Sequence, residues 1–327
     1  MPAALTPDQL ETAKKLNEIF FPFASASRDR MASRNGRFVH YTSAESALNI
    51  IKTKSIWMRN TTCMSDYREV THGLDALRRY FGDAGRKHAF ESALESCSAG
   101  LAAAAVAEFD RWWQTTQLQT YITSISEHED REDPHGRLSM WRAFGNSSAR
   151  VAIVVRVNLD IGNNVAIGAE LSPVAYFTDA DLARELDSVA SNVQKNQSFL
   201  QSVDKTWLMT TVFTTLTSAV ICLKHEGFHE EKEWRVIHHP GRMPSPFIDS
   251  SVEVISGLPQ RVYKIHFKND PASGLTGLEP SELIDRIIIG PTQFPWVMGE
   301  AFVSALRDAG VTDADKRVFA SQIPVRT

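Results

Sequence analysis

The chain has 327 residues, of which 43% are hydrophobic and 23% are charged, and these proportions allow an ordinary globular core. Its 39 acidic and 35 basic residues give a formal net charge of −4, which excludes wholesale electrostatic binding of duplex nucleic acid and leaves only a local basic groove. Cys63, Cys97 and Cys222 show no C-x-x-C spacing. Neither a disulfide framework nor a thiolate zinc site is therefore expected. The same cysteine usage predicts a reducing, cytoplasmic compartment.

The first 36 residues are predicted to be an N-terminal helix followed by a linker. Thr6-Pro7-Asp8 combines a capping hydroxyl, a proline and an acid, which predicts a helix start. Residues 24–36 are small and polar, so an exposed or mobile linker is expected. The first 21 residues lack a basic region followed by an apolar one, so no signal peptide is expected.

The rest of the chain, residues 37–327, is predicted to be one α+β domain with a mixed, mostly antiparallel sheet. Residues 66–118 are largely helical in pattern and form an insertion, and residues 178–225 are a second long helical stretch. Within that stretch, residues 206–223 are uncharged but include six threonines, so a buried core helix is preferred to a membrane span. The predicted strands lie at 37–43, 55–60, 120–126, 150–157, 173–177, 233–239, 261–267, 285–291 and 316–322.

Three of these strand regions carry polar groups where a core is expected. They contain His40-Tyr41-Thr42, Thr123 to Ser126, and Glu231-Lys232-Glu233. Alternation along a strand places Glu231 and Glu233 on one face. Each stretch alone has an ordinary structural explanation, namely a core histidine with a helix cap, a hydroxyl-rich strand and a solvated edge strand.

Taken together in chain order, four short motifs resemble those of a bacterial family of unknown function. They are H-Y-T in "VHYTS", S-D-x-x-E in "MSDYRE", M-W-x-x-F in "LSMWRAFG" and E-x-E-W-R in "EGFHEEKEWRVI". The likeness spans most of residues 37–325, and Ser65 departs from it because the family usually has asparagine there. That family in turn resembles the ADP-ribosyltransferase superfamily, including the DarT-type toxins, since His40, Ser124 and Glu233 occur in the same order.

The resemblance implies a sheet of the ADP-ribosyltransferase type and an enzyme that transfers ADP-ribose from NAD to nucleic acid or protein. It also implies a toxin or phage-defence effector, restrained by an antitoxin-like partner. Glu233 would oppose the positive charge that develops on the ribose, and Glu231 would meet the acceptor or its proton. His40 would hold a ribose or the nicotinamide amide. NAD serves as co-substrate, nicotinamide is the leaving group, and no metal is required.

The cofactor-binding residues implied in the same way have distinct roles. Tyr41 or Trp141 would offer an aromatic surface, and Ser124 would brace Glu233. The residues around Arg68 allow two interpretations of their own: Ser65 or Asp66 caps the next helix, or the loop positions substrate with Arg68 near a pyrophosphate, because a guanidinium matches phosphate geometry. The full predicted set is His40, Tyr41, Thr42, Arg68, Ser124 and Trp141.

Two other functions remain open from the sequence. One is a non-catalytic module that senses a nucleotide or binds a partner. The other is a metal-dependent nuclease using Glu231, Glu233 and His40, although the spacing of the nearby histidines does not favour a metal site. For nucleic acid binding, the candidate basic residues are Arg30, Arg34 and Arg37.

Overall fold

The computed structural model describes residues 5–63, 67–143 and 149–323, with the backbone alone described for residues 67–70 and 114–117. These ranges form thirteen α-helices and ten β-strands in an α+β arrangement, as predicted. The helices are α1 (Pro7–Phe20), α2 (Pro22–Ser33), α3 (Ala44–Thr53), α4 (Tyr67–Gly82), α5 (Ala84–Cys97), α6 (Leu101–Thr116), α7 (Leu138–Ala143), α8 (Ile161–Ile167), α9 (Asp179–Lys195), α10 (Gln197–Ser202), α11 (Lys205–Ile221), α12 (Pro280–Leu283) and α13 (Pro295–Asp308). The strands are β1 (Arg37–Ser43), β2 (Ser55–Asn60), β3 (Tyr121–His128), β4 (Arg150–Val155), β5 (Glu170–Pro173), β6 (Glu233–His238), β7 (Ile248–Ile255), β8 (Leu258–His266), β9 (Ile284–Ile289) and β10 (Val318–Ala320).

All ten strands belong to one mixed sheet that branches at β3. Its main path runs β10-β9-β4-β1-β3-β2-β8-β7, while β6 pairs with β3 and β5 pairs with β6. Only β9 and β10 are parallel, and the other strand pairs are antiparallel. One edge of β3 is shared, because β1 pairs with residues 126–128 and β2 with residues 121–122. The sheet therefore opens between β1 and β2, while β6 follows the other edge of β3.

The strand register divides the sheet into two faces. Val39 pairs with Ser126, and Ser126 pairs with Glu233, so these three residues lie on what we call the front face. Phe38 and Trp234 lie on the opposite, back face, where their rings pack edge-on with centroids 5.3 Å apart. The back face forms a core with helices α3 and α13.

A layer of helices packs against the front face of the sheet at β3 and β6. Helices α4, α5, α6, α9 and α11 pack into one apolar core that includes Ile122 and Ile237 of the sheet. Helices α4 and α11 meet closely at Gly73, where an added Cβ would lie 2.3 Å from the carbonyl oxygen of Val220. Helix α11 is thus a core helix, as predicted. None of the described helices is long and apolar enough to span a membrane.

The predicted linker over residues 24–36 is wrong for most of its length, because residues 22–33 form helix α2. Ser27 and Met31 are buried, with 1% and 0% of their surface exposed. The small side chains that suggested a linker instead let this helix pack closely against its neighbours.

Two strand predictions also differ from the structure. The strand expected at 173–177 is β5 at Glu170–Pro173, with Ala175 forming only an isolated bridge to Leu223. Strand β7 was not predicted at all. It pairs with β8 through a tight turn in which Ser256 and Gly257 both have positive φ, a backbone that favours a two-residue hairpin.

Candidate active site

Glu233 is the first residue of β6 and points from the front face into a nearly dry environment. Its surface is only 7% exposed. The Ser124 hydroxyl on the neighbouring strand β3 donates a 2.6 Å hydrogen bond to Glu233 Oε1. Ser124 therefore braces this carboxylate, which is the contact expected from the sequence.

Arg235 forms a second support because it lies two residues further along β6 and therefore shares the face of Glu233. Its Nε donates to Glu233 Oε1 at 2.8 Å, and its Nη2 donates to Oε2 at 3.2 Å. Arg235 Nη1 also donates to the carbonyl of Ile221 at the C-terminal end of α11. The guanidinium thus ties the carboxylate to the end of a helix, where backbone acceptors otherwise lack partners.

Lys224 bridges the two acids of the E-x-E motif. Its Nζ lies 2.8 Å from Glu231 Oε2 and 3.5 Å from Glu233 Oε2. The expectation that alternation on a strand brings the two acids together is wrong, because Glu231 ends the 3₁₀ turn Glu226–Glu231 and Lys232 is left-handed with φ 45°. The acids converge through a shared cation instead.

Tyr176 completes the cluster from the segment after β5. Its hydroxyl oxygen accepts a 2.9 Å hydrogen bond from the backbone N–H of Glu233 and leaves the O–H free to donate elsewhere. Burial raises the pKa of Tyr176, and the nearby acids add to this effect. We call the following six residues the Glu233 cluster: Ser124, Tyr176, Lys224, Glu231, Glu233 and Arg235.

The electrostatics of the cluster keep Glu233 ionised at neutral pH. Burial by itself would raise the pKa of Glu233, but the charge and hydrogen bonds of Arg235, followed by Lys224 and Ser124, outweigh it and lower the pKa. Two acids and two bases make the cluster neutral in sum. Its outer edge is Glu231, whose side chain is 23% exposed compared with 8% for Glu233.

The carboxylate of Glu233 is not fully occupied. A carboxylate has about four acceptor positions. Among the described residues, hydrogen bonds fill two positions on Oε1 and one on Oε2, while Lys224 approaches Oε2 at the longer distance of 3.5 Å. Oε2 can therefore accept one further hydrogen bond from a ligand.

His40 does not share the face of Glu233. It pairs with Ile153 of β4, and as the neighbour of Val39 its side chain lies on the back face. Its Nδ1–H donates to the carbonyl of Ser124 at 2.9 Å, across the gap where β1 leaves β3. Burial lowers the pKa of His40, and the Ser124 carbonyl only partly offsets this, so the ring is neutral at pH 7.

Tyr41 and Trp141 are on the front face but are buried against each other. Their rings meet edge-on with centroids 4.9 Å apart, and only 5% and 1% of their surfaces are exposed. The Tyr41 hydroxyl accepts from the backbone N–H of Arg137, and Trp141 Nε1 donates to the carbonyl of His135. Burial raises the pKa of Tyr41 to about 12. The pair fixes the Arg137 segment and does not present an open aromatic surface.

Comparison with known families finds one match, to a family model described as a protein of unknown function, DUF2971, over residues 140–236. Residues 140–236 of the chain therefore resemble a DUF2971 domain. The prediction of a domain of unknown function is thereby confirmed, whereas the likeness to ADP-ribosyltransferases stays a prediction. No curated protein and no solved structure shows significant similarity to the chain.

The DUF2971 segment contains five of the six residues of the Glu233 cluster. Tyr176, Lys224 and Arg235 of this segment were not predicted from the sequence. Arg235 had a visible signal, since a base two residues after an acid on a strand shares its face. Lys224 and Tyr176 are positioned by the fold, because a bridge between Ala175 and Leu223 brings their segments together.

Two further predicted site residues, Thr42 and Arg68, lie outside the DUF2971 segment. Thr42 is half-buried on the back face, two residues after His40. The side chain of Arg68 lies outside the described residues, as do Ser65 and Asp66 of the same motif. No group of three or more potential metal ligands occurs among the described side chains.

The three arginines predicted to guide a phosphate backbone, Arg30, Arg34 and Arg37, are each ion-paired with acids. Arg30 and Arg34 each bind the buried Glu127 at 2.7 Å. Arg37 is buried among carboxylates, 2.6 Å from both Asp130 and Asp285. Their guanidinium groups neutralise these acids, and a role in contacting a phosphate backbone stays a prediction.

Proposed function

We propose that the Glu233 cluster is the active site of an NAD-dependent ADP-ribosyltransferase. The observation that carries the proposal is the state of Glu233: an ionised, rigidly braced carboxylate in a dry site, with one acceptor position left on Oε2. A fixed carboxylate of this kind favours a cationic transition state over a neutral ground state, and low water content strengthens the effect.

The reaction breaks the glycosidic C–N bond of NAD, and nicotinamide leaves with the bonding electron pair. Positive charge then develops on the ribose, where Glu233 accepts a hydrogen bond from a ribose hydroxyl and stabilises that charge. A nucleophile on the acceptor forms the new bond to the same carbon, and its proton passes to Glu231, the more exposed acid. NAD supplies the leaving group, and Arg68 remains the candidate for its pyrophosphate.

The acceptor is a nucleophile on nucleic acid or protein. Incubation of the purified chain with labelled NAD, DNA, RNA and cell lysate identifies it by the pool that becomes labelled. Cleavage of the DNA or RNA that is lost on addition of a chelator would instead indicate the metal-dependent nuclease.

The decisive experiment is nicotinamide release by Glu233→Gln. Glutamine keeps the size of the side chain but removes its charge, so turnover is expected to fall at least about 100-fold. The matched control is Glu253→Gln, which removes a different ion-paired glutamate, bound to Lys264 at 2.8 Å on edge strand β7. Turnover of the Glu233 variant within about threefold of wild type, or about 0.7 kcal/mol, would reject the catalytic role.

A second candidate is a nucleotide-binding module without catalysis. The pairing of both acids with Lys224 favours it, because neutralised carboxylates act less strongly on a developing charge. This function predicts saturable binding of NAD by calorimetry, with no release of nicotinamide over several hours.

A further inference from the structure

A separate cavity of about 560 Å³ lies beside the Glu233 cluster, between α11 and the edge strand β5. Helices α1, α2 and α8 close its other sides. The volume suits a small organic molecule, and the lining combines apolar side chains with a few polar groups, as binding sites usually do. The proposed ADP-ribosyl transfer uses none of its residues.

Glu170 lines this cavity from β5 without a partner. It is half-buried and forms no hydrogen bond or ion pair with any described residue. Burial raises the pKa of Glu170 to about 7, and the more distant charge of Arg242 only partly opposes this. A desolvated acid without a partner is unfavourable unless a ligand supplies one.

Arg28 lines the same cavity from α2 and is also poorly paired. Its Nη2 donates a long 3.3 Å hydrogen bond to the carbonyl of Leu171, and its buried Nε has no partner among the described residues. Burial lowers the pKa of Arg28, and the charge of Asp29 compensates only in part. The cavity thus holds a second desolvated group, of opposite sign to Glu170.

A row of hydroxyl groups leads from the surface towards Glu170. Thr206, Thr210, Thr214 and Ser218 recur every four residues and therefore share one side of α11. Thr206 and Thr210 are exposed, whereas Thr214 and Ser218 are half-buried, so the row runs inward. The hydroxyl groups of these four residues have no protein partner among the described contacts.

We propose that this cavity binds a small zwitterion, with the ammonium group of the ligand at Glu170 and its anionic group at Arg28. Neither residue pairs with the other, so each retains its capacity for an oppositely charged group. A zwitterion satisfies both at once, while a ligand with one charge leaves the other protein group desolvated and unpaired. The hydroxyl row binds the polar parts of the ligand near the entrance.

Thermal unfolding and calorimetry with a panel of zwitterions test this inference. The panel contains the common α-amino acids together with β-alanine, γ-aminobutyrate and 6-aminohexanoate, which increase the distance between the charges. At least one is expected to raise Tm in a saturable manner. Its analogues lacking the amino or the carboxylate group are expected to bind at least tenfold more weakly. Absence of any stabilisation, or equal binding of either analogue, overturns the proposal.

Two variants assign the charges to their residues. Glu170→Gln is expected to remove the preference for the zwitterion over its des-amino analogue, and Arg28→Gln the preference over its des-carboxy analogue. Glu253→Gln, on the far edge of the sheet, serves as the control and is expected to bind like wild type. Circular dichroism of each variant establishes that it is folded. Retention of both preferences in folded Glu170→Gln would refute the assignment, and because no NAD is present, the proposal for Glu233 is unaffected.

Discussion

His40 and Glu233 lie on opposite faces of the sheet, although only strand β3 separates their strands. Ser124 connects them, since its carbonyl accepts a hydrogen bond from His40 and its hydroxyl donates one to Glu233. His40 can therefore influence the carboxylate by fixing the backbone of β3 at Ser124. This contact makes His40 a candidate positioning residue, which differs from the sugar-binding role that the sequence predicts.

The first prediction separates these two roles. His40→Asn, which keeps a hydrogen-bond donor, is expected to lower kcat for nicotinamide release by about tenfold or less and to leave KM nearly unchanged. Glu233→Gln is expected to lower kcat by at least about 100-fold. Steady-state kinetics on both variants measures the difference. A rise in KM for NAD of about tenfold in His40→Asn would show that the imidazole contacts the substrate after all.

The second prediction concerns the pH dependence of the same reaction. The Ser124 hydroxyl helps to lower the pKa of Glu233, after the larger contribution of Arg235. Ser124→Ala removes that hydrogen bond, so the pKa of Glu233 rises and the acid limb of the kcat profile moves to higher pH. Ser126→Ala is the matched control, because Ser126 lies on the same strand and face without a described bond to Glu233. An unshifted acid limb in Ser124→Ala would exclude Glu233 as the titrating group.

The third prediction concerns stability. Arg235→Met leaves the charge of Glu233 buried with Lys224 as its remaining described cation, which is expected to destabilise the protein by about 3 kcal/mol. Adding Glu233→Gln removes the uncompensated charge and is expected to restore part of this loss. Urea unfolding of both single variants and the double variant measures the coupling free energy. Additive effects would contradict a direct interaction.

The sequence predicts the residues of the site that belong to short local motifs, and it misses those that tertiary contacts bring in. Ser124 and Glu233 lie on predicted strands and were singled out by the family resemblance, and the structure joins them at 2.6 Å. Tyr176 lies 57 residues before Glu233 in sequence. Lys224 is placed beside it by the bridge between Ala175 and Leu223, a tertiary contact that periodicity cannot reveal. Glu231 was assigned to the strand because alternation was extended two residues too far, across the left-handed Lys232.

For the fold as well, the sequence predicts the elements that have a local pattern and misses those that depend on tertiary contacts. The sequence predicts the buried strands β1, β3 and β4, and also the helical segment between residues 67 and 116, from their local apolar patterns. Strand β7 is an edge strand in which only Ile248 is buried, and its alternating Val252 and Val254 are exposed, so its sequence does not have the continuous apolar run of a buried strand. Helix α2 is rich in alanine and serine, and only its contacts with other elements distinguish it from a linker.

The fourth prediction tests how the helical layer is attached. At Gly73 a Cβ would meet the backbone of α11, 2.3 Å from the carbonyl oxygen of Val220, so Gly73→Ala is expected to destabilise the protein by about 2 kcal/mol. Gly82 lies in the same helix with nothing within 4 Å of an added Cβ. Gly82→Ala is therefore expected to be neutral or stabilising by up to about 1 kcal/mol. Urea unfolding compares them, and equal effects would rule out the close approach of α4 and α11.

The fifth prediction uses the unpaired acid of the cavity. The pKa of Glu170 rises from 4.5 to about 7 on folding, mainly because of burial, so the folded protein binds a proton that the unfolded chain releases. The free energy of unfolding therefore decreases as pH rises through this interval, by about 3 kcal/mol in total. Glu170→Gln does not titrate and should lack this loss. Its stability relative to wild type is expected to be greater at pH 8 than at pH 5 by about 2.5 kcal/mol, because the first part of the loss occurs below pH 5.

Urea unfolding at pH 5, 6, 7 and 8 measures this difference, with Glu253→Gln as the control. The pKa of Glu253 is lowered, chiefly by its hydrogen bond from Lys264, so Glu253 titrates below this range and its variant should show no such trend. A constant difference between Glu170→Gln and wild type across the four pH values would mean that Glu170 is hydrated and ionised throughout. A saturating zwitterion should weaken this trend in wild type, because an ammonium group at Glu170 stabilises the carboxylate and lowers its pKa back towards 4.5.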